Sequence, residues 1–215
     1  MKNKHIPYGP YEKYFKRPLD IFCGLAAVIV FSWLYLILIV LGTIFMRGNP
    51  FFTQKRPGKD EKIFKLIKFR SMDNRKDKDG NLLPDEIRLN KYGRFLRSTS
   101  LDELPEAFNI IKGDMSVIGP RPLLVQYLPR YNAQQRRRHE VRPGLSGYAQ
   151  VHGRNTVSWQ DKFRMDVEYV DHITFLGDLK IIWDSVMVAF VKRDGISSET
   201  SATMEEFLGN EIETK

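Results

Sequence analysis

Residues 21–46, IFCGLAAVIVFSWLYLILIVLGTIFM, run for 26 positions without one charged side chain. As a continuous helix the stretch would reach about 39 Å at ~1.5 Å per residue, more than the roughly 30 Å of a bilayer's hydrocarbon core. It reads as a membrane segment, with a buried core helix as the alternative. It is a poor match to a cleaved signal peptide, because it is too long and no small-x-small site precedes a polar mature start. Lys13, Lys16 and Arg17 stand before the run, and Arg47, Lys55, Arg56, Lys59 and Lys62 follow it. The positive-inside rule therefore asks both ends to face the cytoplasm, which a hairpin satisfies and a simple span does not. The middle of the run offers Ser32-Trp33 and no proline. Ser32 could bond to a carbonyl of the preceding turn and bend the helix there. The run alone leaves span and hairpin open.

The rest of the chain is of another character. Its 215 residues suffice for one domain plus an appendage. With 34 Lys and Arg against 26 Asp and Glu, the formal charge of +8 implies an anionic partner such as a nucleotide, a phospholipid or nucleic acid. The one cysteine, Cys23, excludes an intramolecular disulfide. His5, His139, His152 and His172 lie too far apart for metal-ligand spacing.

The chemistry concentrates in residues 97–122, RSTSLDELPEAFNIIKGDMSVIGPRP, where Asp102 and Glu103 sit between Arg97 and Arg121. A carboxylate can attack phosphorus or hold Mg²⁺, while arginine forks neutralise the phosphate oxygens that would repel it. The same letters also read as an S-x-x-E capping box, Ser100 to Glu103, opening a helix that runs to about Lys112-Gly113. Pro105 complicates that helix, because it removes a main-chain bond at the fifth position. The helix could instead begin later, with Asp102 as its cap. Either placement leaves Asp102 near free N–H groups where phosphate binds well. Spacing leaves cap and active site both open.

Residues 51–54 and 63–70 (IFKLIKFR), with Pro57-Gly58 between them, read as two extended segments around a turn, although Lys65 and Lys68, three apart, also suit a helix. Residues 73–90 are dense in charge and contain Gly80 and Pro84, as in a loop. Residues 132–141, NAQQRRRHEV, suggest a helix whose Arg136, Arg137 and Arg138 would meet lipid head groups, nucleic acid or only solvent. Ser158 resembles the cap of a helix to about His172 carrying Asp166, which could bind a metal or support one of its ligands, though a surface acid is the default. Residues 175–191 suit an amphipathic helix packed on protein or lying at the membrane surface, with core packing favoured. The tail after Gly195 is polar and acidic, with the composition of a partly disordered segment.

Taken in order, KRPLD, FTQKRPG, KIFKLIKFRSM, RSTSLDELPEAFNIIKGDMSVIGPRPLL, RPGLSGYAQVHGRN and TMEEF resemble the small monotopic phosphoglycosyl transferases of the bacterial sugar transferase family, the PglC-like type among them. The resemblance covers about residues 13–209. It implies transfer of a sugar 1-phosphate from a UDP-sugar to polyprenyl (undecaprenyl) phosphate with release of UMP, the first step of glycan, O-antigen, capsule or exopolysaccharide synthesis. It implies Asp102 as a nucleophile forming an aspartyl-phosphosugar, Glu103 as its catalytic partner, either metal ligand or proton handler, and Mg²⁺ as cofactor held by Asp102 and Glu103. Lys68, Arg97, Arg121, Arg154 and Asp166 would be substrate-binding positions. The family usually carries Ser-Pro at the middle of its membrane helix, where this chain has Ser32-Trp33. With the charge flanks, the resemblance favours the re-entrant hairpin over the span.

The expected fold class is α/β, of the α+β kind: an N-terminal membrane helix, re-entrant, with a small mostly helical cytosolic domain carrying a short β-hairpin. The expected organisation is a basic leader at 1–20, the membrane helix at 21–46, a catalytic domain at 47–195 on the membrane face and a polar tail at 196–215. The expected location is the bacterial inner membrane, with the catalytic domain on the cytoplasmic face. Expected partners are UDP-sugar, polyprenyl phosphate and a phospholipid membrane, with no nucleic acid; oligomerisation is left open. The alternative is a membrane-tethered basic module that binds anionic lipid or nucleic acid without catalysis.

Overall fold

The apolar run folds as two helices that meet at Phe31. A π-helical turn (Tyr11–Phe15) leads into α1 (Lys16–Val30), and α2 (Ser32–Phe45) follows, the two arms bent by 65°. The computed structural model describes residues 5–152, 157–190 and 206–210. Among these, no single helix is long and apolar enough to cross a membrane. At Phe31 the backbone leaves the helical region (φ −96°, ψ 13°). The Ser32 hydroxyl makes no hydrogen bond among the described residues, so the expected serine bend is not its cause. Instead the two arms are held in different directions by different partners.

α1 lies on α5 (Glu106–Lys112), and a Cβ on Gly24 would come within 2.9 Å of Ile111, so only glycine allows that approach. Arg17, from the basic leader, donates to the carbonyls of Ile110 (2.7 Å) and Ile111 (2.9 Å). These carbonyls lie in the last turn of α5, where that of Ile110 also accepts from the Gly113 N–H at 3.1 Å, and a guanidinium suits the dipole there. The left-handed Gly113 (φ 102°) closes the same helix. α2 packs against α4 (Lys91–Thr99): Tyr35, Leu38, Met46, Phe69, Tyr92 and Leu96 form one buried cluster. Tyr92 donates to the Leu38 carbonyl at 3.0 Å. Each fully buried leucine of this cluster contributes about 1.5–3 kcal/mol.

The two extended segments pair as expected. β1 (Phe51–Pro57) and β2 (Ile63–Phe69) form an antiparallel hairpin, with Phe52 opposite Lys68 and Gln54 opposite Leu66. The charged loop that follows holds one turn of helix, α3 (Asp85–Arg88). After α4 and α5, β3 (Ser116–Ile118) pairs in parallel with β4 (Gly144–Ser146), with α6 (Ala133–Arg136) between them in sequence. Then come α7 (Tyr148–His152), α8 (Trp159–Asp171) and α9 (Phe175–Phe190). The Ser158 hydroxyl caps α8 by accepting from the Asp161 N–H, as its sequence suggests. The architecture is mostly helical with one small antiparallel hairpin.

Several expectations give way. No capping box forms at Ser100, whose backbone is left-handed (φ 55°) with no side-chain cap bond. Residues Leu101–Glu103 make a single 3-10 turn, and α5 starts only at Glu106, behind Pro105. Proline tolerates only the first turn of a helix, so it sets the start and leaves Asp102 outside. The helix expected at 132–141 breaks after α6 into a 3-10 turn (Arg137–His139). The polar tail is not featureless, since Phe207 is only 2% exposed, within a cluster of Tyr127, Tyr131 and Phe163. α9 divides its faces: Ile181 is buried in the core, whereas Leu176, Leu179, Trp183 and Val186 are exposed.

Candidate functional site

Lys68 is where the hairpin meets the acidic turn. The side chain of Asn109, 1% exposed on α5, accepts from the Ile67 N–H at 3.0 Å and donates to the Lys65 carbonyl at 2.8 Å. That staple fixes β2 across α5 and aims Lys68 at the carboxylates. Its ammonium lies 2.8 Å from Glu103 Oε1 and 3.1 Å from Glu106 Oε1. Arg121 donates a second charged bond to the same Glu103 oxygen at 2.9 Å. Two cations thus share Glu103, and one of them also holds Glu106.

Asp102 precedes Glu103 in the 3-10 turn. Burial, followed by the negative charge of Glu103, raises its carboxyl above the usual range, against the opposing charges of Lys68 and Arg97. A more basic carboxylate is a better nucleophile. For Glu103, burial would raise the carboxyl, but the charges of Arg121 and Lys68 outweigh it and hold it low. Glu106 moves the other way, raised by burial and by the charge of Glu103. On one short segment, Glu103 is thus held low while Asp102 and Glu106 on either side of it are both raised.

Of the positions expected to bind substrate, Lys68 and Arg121 meet at Glu103. Arg97, on α4, donates to the Ser71 hydroxyl at 2.9 Å, and its charge reaches Asp102. Arg154 lies outside the described residues. Asp166 is set apart from Glu103 and is no surface acid: it is 5% exposed and accepts two bonds from Arg138, at 2.9 and 2.7 Å. Arg138 in turn donates to the Arg121 carbonyl at 2.7 Å. Asp166 therefore bears on the Glu103 cluster through Arg138.

Two residues escape a reading of the sequence. Glu106 was hidden behind the dyad, and only its place one turn along, on the face of α5 toward Lys68, could have marked it. Arg56, on β1, stands near enough to Arg121 that burial and then that like charge lower its affinity for a proton. The cluster Arg136, Arg137 and Arg138, read as a lipid or nucleic-acid patch, instead pairs internally. Arg136 bonds to Glu61 at 2.7 Å, Arg137 pairs with Asp171, and Arg138 with Asp166. These partners are distant in sequence, and pairing leaves little free charge for a polyanion.

No group of three or more acidic, histidine or cysteine side chains suited to a metal occurs among the described residues. Mg²⁺ is usually held by one or two carboxylates, with substrate phosphates and water completing its shell. The oxygen donors of Asp102 and Glu103 fit that pattern. Above the site, the Tyr35 hydroxyl of α2 donates to the Leu104 carbonyl at 2.5 Å, joining the apolar hairpin to the acidic turn.

Comparison with known proteins places the chain in a family. Residues 11–192 match the family described as bacterial sugar transferase. The chain is 52% identical over 164 residues to the uncharacterized sugar transferase EpsL of Bacillus subtilis, covering 76% of this chain and 81% of the relative. It is 37% identical over 198 residues, 87% of its length, to the UDP-glucose:undecaprenyl-phosphate glucose-1-phosphate transferase of Klebsiella pneumoniae. It is 35% identical over 203 residues, 86% of its length, to the undecaprenyl-phosphate galactose phosphotransferase of Salmonella typhimurium. This chain spans 42% of the length of each of the last two proteins.

Proposed function

The chain belongs to the bacterial sugar transferase family, and from that premise we propose that it moves a sugar 1-phosphate from a UDP-sugar to undecaprenyl phosphate, releasing UMP and starting glycoconjugate synthesis. The observation that carries the reading is Glu103 held by both Lys68 and Arg121 beside the more basic carboxyl of Asp102, in a turn tied to an apolar hairpin by Tyr35.

The reaction proceeds in two displacements. An oxygen of Asp102 attacks the β-phosphorus of the UDP-sugar; the bond from that phosphorus to the bridging oxygen breaks, and UMP leaves with the bridging oxygen. The phosphate oxygen of undecaprenyl phosphate then attacks the phosphorus of the aspartyl-phosphosugar, and the acyl–phosphate bond breaks to return the Asp102 carboxylate. Lys68 and Arg121 offset the charge that otherwise keeps a carboxylate from a diphosphate. Burial keeps Asp102 poorly solvated and basic. Mg²⁺, held by Asp102 and Glu103, would supply charge neutralisation on the phosphate oxygens.

The bent pair α1–α2 is assigned to the cytoplasmic leaflet of the inner membrane as a re-entrant hairpin. Residues 47–195 would form the catalytic domain at its surface, with 1–20 as leader and 196–215 as tail. The outward-facing Phe22, Ile29, Trp33 and Leu36 support that assignment, as do basic residues on both flanks. The internal pairing of Arg136, Arg137 and Arg138 speaks against a non-catalytic binding module. The test is a UMP-release screen of UDP-glucose, UDP-galactose and N-acetylated UDP-sugars with undecaprenyl phosphate and Mg²⁺. Release from at least one donor, dependent on the lipid phosphate, is expected; no UMP from any of them would sink the reading.

A further inference from the structure

The segment 206–210 packs against residues 126–135 and α8, with Leu208 exposed and the side chains of Glu206, Phe207 and Asn210 each partnered. Phe207 packs edge-on to Phe163 (ring centroids 5.0 Å apart) and Tyr127 (5.8 Å), stacks on Tyr131 (5.8 Å) and meets Trp159 at 5.6 Å. Glu206 accepts from Gln126 at 2.8 Å and Arg130 at 2.9 Å. Asn210 accepts from Gln135 at 2.6 Å and donates to the Arg130 carbonyl at 3.2 Å. Arg130 also donates to the Phe207 carbonyl.

Two of the rings around Phe207 also enclose Arg138. Its guanidinium carbon is 6.0 Å from the Tyr131 ring centre and 5.8 Å from that of Phe163. Only 3% exposed, Arg138 bonds to Asp166 while donating to the Arg121 carbonyl. Arg121 is the residue that grips Glu103. A continuous series of contacts thus runs from Phe207 through Tyr131 and Phe163 to Arg138, Arg121 and Glu103. Packed interiors transmit a void in this way because neighbouring groups cannot fill it without moving.

We propose that segment 206–210 is a positioning strap for the active site, in which Phe207 seats Arg138 and so fixes the Arg121 fork on Glu103. The inference rests on the sugar-phosphate transfer proposed above. Phe207 touches no reacting atom, so its loss should slow the chemical step more than it weakens donor binding. Misplacement of a catalytic group by about 1 Å can cost on the order of a hundredfold, and part of that is expected here.

Full-length Phe207→Ala, Phe207→Leu and Glu206→Ala would be compared with wild type in lipid nanodiscs by two readouts. The first is UMP release against concentration of whichever UDP-sugar the wild type uses. The second is amide hydrogen exchange over residues 119–124, with α4 as internal control. Phe207→Ala should lower kcat about tenfold per folded molecule with KM changed less than about threefold, and should lose protection at 119–124 while α4 keeps it. Phe207→Leu, which refills most of the volume, should recover to within about threefold. Glu206→Ala, which loosens the strap without opening the core, should fall between the two. Unchanged kcat in folded Phe207→Ala, or unchanged exchange at 119–124, would overturn the proposal. Should the wild type release no UMP from any donor, the transferase reading fails, and the exchange data alone decide whether the strap holds Arg121.

Discussion

The Tyr35 hydroxyl, on the second arm of the apolar hairpin, donates at 2.5 Å to the carbonyl of Leu104, one residue past Glu103. One hydrogen bond therefore couples the apolar arm to the turn that bears the dyad. Tyr35→Phe removes only this donor, and the carbonyl keeps the Ala107 N–H at 3.1 Å, so the cost is that of one hydrogen bond, about 0.5–1.5 kcal/mol. A lower unfolding midpoint in nanodiscs is expected, with unchanged membrane association and a fall in turnover per folded molecule. Turnover equal to wild type would show that the turn does not depend on this bond.

Asp102→Asn should abolish UMP release and the phosphosugar adduct seen in intact-mass spectra of the wild type incubated with donor alone. It should not destabilise the protein at neutral pH. Burial and Glu103 raise the Asp102 carboxyl, so its ionised form opposes folding above the usual carboxylate range, and a neutral amide lifts that opposition. Thermal unfolding at pH 7.5 checks the second half: a midpoint at or above wild type is expected.

Glu103 and Glu106 should behave oppositely with pH. The carboxyl of Glu103 is held low in the fold, so it contributes stability above the ordinary carboxylate range, lost as pH falls through its folded value. Glu106 is raised, so it costs nothing when protonated, and its cost appears as pH climbs from about 4.5 upward. Glu103→Gln should therefore lose stability at pH 7 and most of the same at pH 4, the loss fading only toward about pH 2, while Glu106→Gln should gain on wild type as pH rises. Parallel midpoint-against-pH curves for the two variants would contradict the charge arrangement around Lys68.

Arg138 and Asp166 form a pair 3% and 5% exposed. Asp166→Asn strands a buried guanidinium and should cost about 3–5 kcal/mol in chemical unfolding. The double variant Arg138→Met with Asp166→Leu should recover much of that stability without recovering turnover, because no donor then holds the Arg121 carbonyl. Equal recovery of both would make the pair a matter of stability alone.

How far the sequence spoke depended on the range of the signal. The apolar run, the extended segment at 63–70 and the Ser158 cap are local patterns, and each appears as the corresponding element. The S-x-x-E pattern misled because Pro105, two positions on, outweighs a capping box when the helix start is set. The three arginines were read by local charge density, while their partners Glu61, Asp171 and Asp166 come from elsewhere in the chain. Phe207 showed only as the end of the TMEEF resemblance, since one aromatic in a polar tail has no period to mark its burial. Glu106 became meaningful only when Asn109 stapled β2 over α5 and brought Lys68 above it.

The break at Phe31 bears on the choice of lipid. A helix that crosses a bilayer must answer to its thickness by tilting or stretching the membrane around it. Under the re-entrant assignment the two arms turn back within one leaflet, and Arg17 and Tyr35 fasten both to the catalytic turn and helix. The height of Asp102 above the head groups is then set by the protein alone. The enzyme should work at similar rates in short-chain and long-chain bilayers, with head-group charge rather than acyl length as the variable to which it responds.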